Sequence, residues 1–422
     1  MPCFRNCLIA KPWCPGALVA DELIRLTVGG LVKVAFVAPF FGVRAAGGAE
    51  TLCRETAIRL ASSGIDVEIL TTCVQDLHHD WNADHYSPGT TSEDGLTVHR
   101  FRTNRVNLAP FGILNGRLLN GDTLSAEEEK QFMAMHVNSF DLYRFLAKQR
   151  DSYDWVCFIP YLFGTTFHGS RLCPGKFVMI PCLHDEAYAH MSIMKDLFQR
   201  VDKLVFNTEA EMKLAARLYG AVAGKGTVIG MGMETDFSSD GERFRKRYNI
   251  AGPFILYAGR KHETKNVHTL IRDFAAYKGR GDRPDLKLIL IGPGSLPVPP
   301  GAGDSILDLG FLPEQDKKDA YSAATVFCQP SLNESFSIVM MESWVCGVPC
   351  LVHGRCDVTR EHVVKSGGGL YYTSSAEFGK CLDYLLADPA RARGMGEAGR
   401  RYVRTRFDWE PIIRRYKQDV FA

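Results

Sequence analysis

Short apolar runs alternate along the chain with longer stretches in which apolar residues recur every three or four positions. This is the pattern of strands alternating with amphipathic helices in a parallel α/β sheet. The first run, Val34–Ala38, leads through a glycine-containing loop to Leu52, Thr56, Ala57 and Leu60 on one helical face, and then to a second run, Val67–Thr71. Gly64 sits where a helix C′ glycine belongs, so the segment reads as a βαβ unit. Further runs at Trp155–Ile159, Phe177–Cys182, Lys203–Phe206 and Thr227–Ile229 carry the sheet to about residue 230. Residues 103–125 set Pro110, Gly112, Gly116 and Gly121 among Phe111, Ile113 and Leu118. That mixture reads as a long irregular insertion, either a binding element or a loop packed on its own domain.

Gly230-Met231-Gly232-Met233-Glu234 reads as a hinge linker, after which Phe254–Ala258 restarts the sequence of strand, loop and helix. Val267, Leu270, Ile271 and Phe274 take core spacing on the following helix, and Leu286–Ile291, Ala324–Gln329, Pro349–His353 and Gly369–Tyr372 supply more strands. A basic helical tail runs from Asp388, and its last part presents Trp409, Ile412, Ile413 and Tyr416 as an apolar face. The fold class expected is α/β, with two Rossmann-like doubly wound domains. The boundaries are an N-terminal extension over 1–30, expected to be mobile, a first domain over 31–230, a second over 231–405 and a final helix over 406–422.

Composition narrows this picture without redirecting it. A chain of 422 residues suits two cores of roughly 200 residues each. A hydrophobic fraction of 46% with 23% charged residues is globular, and no apolar run approaches the roughly 20 residues that cross a bilayer. The net charge of +2 gives no general attraction for nucleic acid, so none is expected as a partner. The thirteen cysteines are an odd number lying mostly in apolar segments, which fits a reducing compartment and a cytoplasmic protein. Cys3, Cys7 and Cys14 match no common zinc spacing, and Asp21-Glu22 spoils a secretory signal.

In doubly wound sheets ligands bind beyond the carboxyl ends of the strands, which directs attention to four loops. Gly47-Gly48-Ala49-Glu50 puts bare backbone N–H groups at a helix start, suited to an anion or simply to a tight turn. Arg260 and Lys265, after Phe254–Ala258, pair a forked guanidinium with a mobile ammonium, which suits a diphosphate; a solvated loop is the alternative. Glu334 and Glu342 flank the run Ser335-Phe336-Ser337-Ile338-Val339 at a loop-to-helix junction. A helix beginning near Ser335 aims the N–H groups of Phe336–Val339 at an anion and, at ~1.5 Å per residue, sets the carboxylates about 12 Å apart. A Glu offsetting the helix dipole beside an exposed Glu is the plainer alternative. His184, just past Phe177–Cys182, suits donation to a sugar hydroxyl or phosphate, or capping of the next helix.

Taken in order, Gly47-Gly48, His184, Arg260, Lys265 and Glu334-x7-Glu342 resemble glycosyltransferase family 4, the two-domain transferases of GT-B fold. Gly292-Pro293-Gly294, Gly310-Phe311-Leu312 and Gly347-Val348-Pro349 extend the likeness over roughly residues 31–422. The resemblance implies a retaining, metal-independent hexosyltransferase of polysaccharide biosynthesis, with two domains facing a central cleft and the last helix crossing back to the first. It implies that Arg260, Lys265 and the N–H groups of Ser337, Ile338 and Val339 hold the diphosphate of a UDP- or GDP-sugar. It also implies that Glu342 binds the ribose, that Glu334 lies beside the transferred sugar, and that His184 contacts the sugar or acceptor from the other domain. No cofactor is expected, and Asp282-Arg283-Pro284-Asp285 lacks Asp-x-Asp spacing. The acceptor is expected to be a saccharide or a lipid-linked molecule, with residues 103–125 as a peripheral contact at the inner membrane face. Two rivals share the fold: a nucleotide-sugar epimerase, which needs further carboxylates around the sugar, and a non-catalytic nucleotide-sugar-binding subunit, which has no need of this intact set.

Overall fold

The computed structural model describes residues 31–45, 47–281, 283–297, 299 and 302–422. The extension over 1–30 with its three cysteines, and Asp282, lie outside the described residues.

The first sheet forms around β1 (Lys33–Val37), whose residues Val34 to Val37 are fully buried, as a strand covered on both faces requires. α1 (Gly48–Ser62) follows and ends at Gly64, which takes φ 90° just past the helix. β2 (Asp66–Thr72), β3 (Gly89–Glu93) and β4 (Leu96–Phe101) come next, then α2 (Leu108–Leu119), α3 (Ala126–Met135) and α4 (Phe140–Gln149). The domain continues through β5 (Trp155–Phe158), α5 (Gly164–Gly169), β6 (Phe177–Met179), α6 (Ser192–Arg200), β7 (Lys203–Phe206), α7 (Glu209–Tyr219) and β8 (Gly226–Val228). The strand order is β3-β4-β2-β1-β5-β6-β7-β8, parallel except for the β3–β4 hairpin. Chain direction along the sheet reverses between β1 and β5.

The second sheet comprises α8 (Gly241–Tyr248), β9 (Phe254–Ala258), α9 (Val267–Lys278), β10 (Lys287–Ile291), β11 (Ile306–Asp308), α10 (Glu314–Ala323), β12 (Val326–Gln329) and α11 (Ile338–Val345) with their successors. These are β13 (Cys350–His353), α12 (Asp357–Ser366), β14 (Gly369–Tyr372), α13 (Ser375–Ala387) and α14 (Pro389–Arg406). Its six strands run parallel in the order β11-β10-β9-β12-β13-β14, reversing direction between β9 and β12. Both sheets are thus doubly wound, and each has a switch point where loops splay apart to leave room for a ligand.

α15 (Trp409–Arg415) and the turn after it return to the first domain. Ile412 and Tyr416 are fully buried, Lys417 Nζ donates to Ser63 O at 2.9 Å, and Lys203 Nζ donates to Val420 O at 2.6 Å. Arg59 lies over the Trp409 ring.

Several expectations need correction. Residues 103–125 are not irregular: α2 is capped by Asn107, whose side chain accepts from Ala109 N–H, and it buries Leu114 and Leu118. Phe111, Leu114 and Leu118 recur at helical spacing, and glycines inside a helix cost only about 1 kcal/mol each, so they do not break it. The Gly230–Glu234 segment, expected as a hinge linker, is packed: Met231 and Met233 are buried and Met233 N–H donates to Phe407 O at 2.6 Å. β6 stops at Met179, since Pro181 has no N–H for a ladder and Cys182 takes a left-handed φ of 51°. β3, β4 and β11 complete the sheets where no strand was expected.

Candidate active site

The two switch points face one another across a cleft of about 330 Å³. Gly47, Gly48, Thr51, Cys182 and Asn207 line it from the first domain. From the second come Tyr257, Gly259, Lys265, Lys317, Gln329 and the segment Glu334–Val339 with Glu342. A smaller cavity of about 90 Å³ shares Glu334 with the first and is lined by His184, Glu211, Asn333 and Arg355.

On the second domain's side, β9 is the central strand, and its end delivers Gly259 to the cleft lining, with Arg260 next in the chain. Gly259 takes φ 149°, and a Cβ on Gly292, after β10, would lie 2.1 Å from Gly259 O, so neither position accepts a side chain. Asn266, buried and left-handed, donates from Nδ2 to Pro330 O at 3.0 Å. That bond ties the Lys265 turn to the loop leaving β12. Lys265 Nζ accordingly stands 2.8 Å from Glu334 Oε1.

The helix between the two glutamates starts later than its sequence suggests. Ser337 adopts φ 70°, ψ 69°, so α11 begins at Ile338, and the eight-residue helical span between Glu334 and Glu342 does not exist. The strained Ser337 conformation is held by Gln329, whose Nε2 donates to Ser337 Oγ at 3.1 Å and reaches Glu334 Oε1 at 3.4 Å. The N–H groups at the start of α11, including those of Ile338 and Val339, lack carbonyls of an earlier turn, and both residues line the cleft. Phe336 lines the cleft and is buried under the loop, where its ring packs against Phe407 and His362.

Glu342 lies one turn into α11. Its Oε1 accepts from Lys317 Nζ at 2.9 Å and its Oε2 from Tyr321 OH at 2.7 Å, both on α10. Burial pulls the Lys317 ammonium down, but Glu342 and Glu314 more than offset this and its pKa is raised. Burial beside Glu342 drives the Tyr321 phenol well above its usual value.

Opposite, α1 begins at Gly48 with Gly47 extended before it. The Glu50 carboxylate curls back so far that a Cβ on Gly47 would lie 2.0 Å from it. Burial raises the Glu50 pKa, opposed by its own N–H and by Arg260 across the cleft. Arg260 is absent from the cleft lining itself but near enough to act on Glu50 and on His78. His184 lies on the irregular loop after Cys182, partly buried, with Nδ1 3.9 Å from Glu186 Oε2. Burial lowers its pKa, but Glu186 and then Glu334 outweigh this and leave it raised. It caps no helix.

Of the sequence candidates, Gly47, Gly48, Lys265, Glu334, Phe336, Ser337, Ile338, Val339 and Glu342 share the larger cleft, while His184 meets Glu334 in the smaller. Sequence reading passed over Lys317, Tyr321, Gln329 and Asn207. Gln329 carried a signal, being a polar residue ending the apolar strand Val326-Phe327-Cys328. Lys317 carried none, since a lysine on an exposed helix face is ordinary. Among the described residues no group of three or more His, Cys, Asp or Glu side chains is gathered as metal ligands, and no helix is long and apolar enough to cross a membrane.

Comparison with known proteins bears on this geometry directly. Residues 240–402, the segment holding Arg260, Lys265, Glu334 and Glu342, match the family Glycosyl transferases group 1. A D-inositol 3-phosphate glycosyltransferase from Gordonia bronchialis is 25% identical over 398 residues, covering 88% of this chain and 83% of that one. The chain is a glycosyltransferase with a group 1 domain over residues 240–402. The enzyme of the same description from Acidothermus cellulolyticus is 30% identical over 172 residues, or 36% of this transferase and 38% of its own length. Among solved structures, sucrose-phosphate synthase from Thermosynechococcus elongatus superposes with TM-score 0.66 at 19% identity, covering 92% of this transferase and 98% of that chain. Anabaena HepE, solved in complex with UDP, gives TM-score 0.65 at 16% identity, with 92% and 99% covered. These likenesses assign the GT-B fold, with two parallel-sheet α/β domains.

Proposed function

We propose that this transferase moves a sugar from a nucleoside-diphosphate donor to a saccharide or lipid-linked acceptor, with retention of configuration and without a metal. The observation that carries this reading is the donor-domain wall of the cleft. There the start of α11 and Lys265 lie between two carboxylates, opposite the start of α1. A diphosphate seated between two helix starts meets backbone N–H groups from both domains. Arg260 and Lys265 then neutralise the charge that grows on the leaving phosphate, the electrostatic contribution that usually dominates such reactions.

In this reading Lys265 turns from Glu334 toward the diphosphate when donor binds. The freed carboxylate orients the hydroxyls of the sugar and offsets positive charge at its anomeric carbon. Glu342, fixed by Lys317 and Tyr321, keeps lone pairs for the ribose hydroxyls. His184 contacts the sugar or acceptor from the other domain. The acceptor hydroxyl attacks on the face the diphosphate leaves, and the departing phosphate oxygen takes its proton, so no enzymatic nucleophile is needed. HepE structures carrying UDP and UDP-glucose make uridine donors the first choice.

The protein is expected to work in the cytoplasm, with α2 as its contact to a membrane surface that presents a lipid-linked acceptor. The exposure of Ile113 and Leu119 on that helix supports this. A thermal-shift and hydrolysis screen across UDP- and GDP-sugars tests the reading, with D-inositol 3-phosphate included among acceptors. Slow hydrolysis with retained anomeric configuration, unaffected by EDTA, is expected. Binding without turnover in any acceptor mixture would overturn it.

A further inference from the structure

One buried carboxylate has no part in the chemistry described so far. Glu211, in the first turn of α7, is 1% exposed. Its backbone N–H is capped by the Thr208 hydroxyl at 3.1 Å, so Thr208 is the helix N-cap and Glu211 the third helical residue. In a capping box that residue's side chain returns to the N–H of the N-cap. Here the N-cap N–H is the weakest of three backbone partners, and the close contacts reach further. Oε2 accepts from Asn207 N–H at 2.6 Å, and Oε1 crosses to Leu183 N–H at 2.6 Å.

One side chain therefore fastens together the loops that leave β6 and β7, and both of these loops reach ligand space. Asn207 and Cys182 line the larger cleft, and Leu183 and His184 line the smaller cavity shared with Glu334. The first loop is also strained: Cys182 holds φ 51°, a left-handed conformation unfavourable for a residue with a side chain. The bond to Leu183 N–H follows the strained residue directly and precedes His184 directly. A turn of this kind persists only where its surroundings over-determine it, and the Glu211 carboxylate supplies that restraint.

We infer that Glu211 is a positioning residue for His184, its carboxylate holding the turn at Cys182 so that the imidazole faces Glu334 across the domain boundary. The inference rests on the reading that His184 contacts the reacting sugar or acceptor. Charge supports the geometry. His184 is faced by Glu186 on its own loop, by Glu334 and Lys265 from the donor domain and by Glu211 from α7. Asp185, Arg217, Arg355 and Asp357 line the same small cavity. Burial pushes the Glu211 carboxyl up to about 7, while the N–H groups of Asn207 and Leu183 and the nearby His184 pull it down.

Glu211→Gln keeps the shape, but its amide nitrogen cannot accept, so one of the two loops is released. The expected result is a turnover roughly 10- to 100-fold lower, the cost of a small misplacement of a reacting group. Donor KM stays close to wild type, and the alkaline limb of the turnover-pH profile moves to lower pH, because the His184 imidazolium has lost a neighbouring negative charge. Combined with His184→Ala, the substitution should add nothing further. Glu211→Asp, which keeps the charge but draws it back by one methylene, is the second variant should Glu211→Gln not fold. It should restore the pH profile while turnover stays low. Wild-type turnover and pH profile in either folded variant, with His184→Ala impaired, would overturn the inference. Wild-type turnover in His184→Ala would instead overturn the reading on which it rests.

Discussion

Lys265 and Glu334 form an ion pair at 2.8 Å across the floor of the cleft, with the lysine side chain 35% exposed and the glutamate 12%. The pair joins the switch-point loops after β9 and β12, and its charges have different tasks once a donor arrives. Lys265→Ala is expected to weaken both donor and free nucleoside diphosphate roughly 10- to 100-fold, the worth of a charge-assisted hydrogen bond in a partly dry site. Glu334→Ala should leave nucleoside diphosphate affinity nearly unchanged and lower turnover. Titration calorimetry with nucleoside diphosphate, alongside donor hydrolysis rates, separates the two. Equal, small effects would refute the assignment.

Glu342 is held by Lys317 and Tyr321 rather than left free on the helix. Glu342→Gln should therefore weaken nucleoside diphosphates about tenfold while inorganic pyrophosphate binds as before, since only the ribose contact is lost. Competition binding with the two ligands gives the ratio directly. A parallel loss for pyrophosphate would mean that Glu342 supports the phosphate site instead.

A stability consequence follows from Gly232, where an added Cβ would lie 2.2 Å from the Trp409 ring. Gly232→Ala should lower the melting temperature, with a cost of about 1–3 kcal/mol from overpacking. Trp409→Ala is also destabilising, but the double variant should be more stable than the sum of the two losses, because the clash is gone. Thermal denaturation of the three variants measures the cycle.

Burial pushes the imidazole of His362 down to about 3. Its Nδ1 meets Tyr402 OH at 3.0 Å, and a hydrogen bond to the Phe336 backbone favours the charged ring, though less than burial disfavours it. The folded value lies below the unfolded value of about 6.5, so between them the unfolded chain binds a proton that the folded chain refuses. Stability therefore falls as pH drops below 6.5, by about 2 kcal/mol at pH 5 from this group alone. His362→Phe removes that loss, so its melting temperature should gain on wild type steadily from pH 7 to pH 5. An unchanged gap would show that His362 takes up a proton without unfolding.

Ile113 is 67% and Leu119 62% exposed on the outer face of α2. If this face meets a membrane, Ile113→Glu with Leu119→Glu should reduce co-sedimentation with anionic vesicles and leave hydrolysis of a soluble donor intact. Equal sedimentation of wild type and variant removes the membrane role from α2.

The architecture was readable because parallel strands buried on both faces must be apolar throughout. Phe254–Ala258 and Lys203–Phe206 were located to the residue for that reason. β3 and β4 were not found, although Asp94-Gly95 at φ 53° and 80° is a strong hairpin signal. The strand before it, Gly89-Thr-Thr-Ser-Glu93, lies on the sheet edge and carries no apolar residue to announce it. α2 was misread because its glycines were weighted as turn-formers while Leu114 and Leu118 decided the matter by packing. At the site, the chemically distinctive residues were visible and their holders were not. Glu334 and Lys265 stood out as charges beside strand ends, whereas Asn266 and Tyr321 act through single hydrogen bonds to other segments and Gln329 acts within its own loop, on Ser337 and Glu334. Ser337 shifted the start of α11 through a backbone angle that a serine does not advertise.

The return of residues 409–421 to the first domain bears on how the protein is made. Ile412, Tyr416 and Val420 fill core positions, and the Lys203 ammonium waits for Val420 O. During synthesis the first sheet can assemble long before these residues leave the ribosome, but it must do so with an apolar groove still open. The second domain has to be translated in full before that groove is closed. Nascent chains stopped anywhere between residues 235 and 405 would therefore carry a structured but sticky first domain, the natural client of a chaperone.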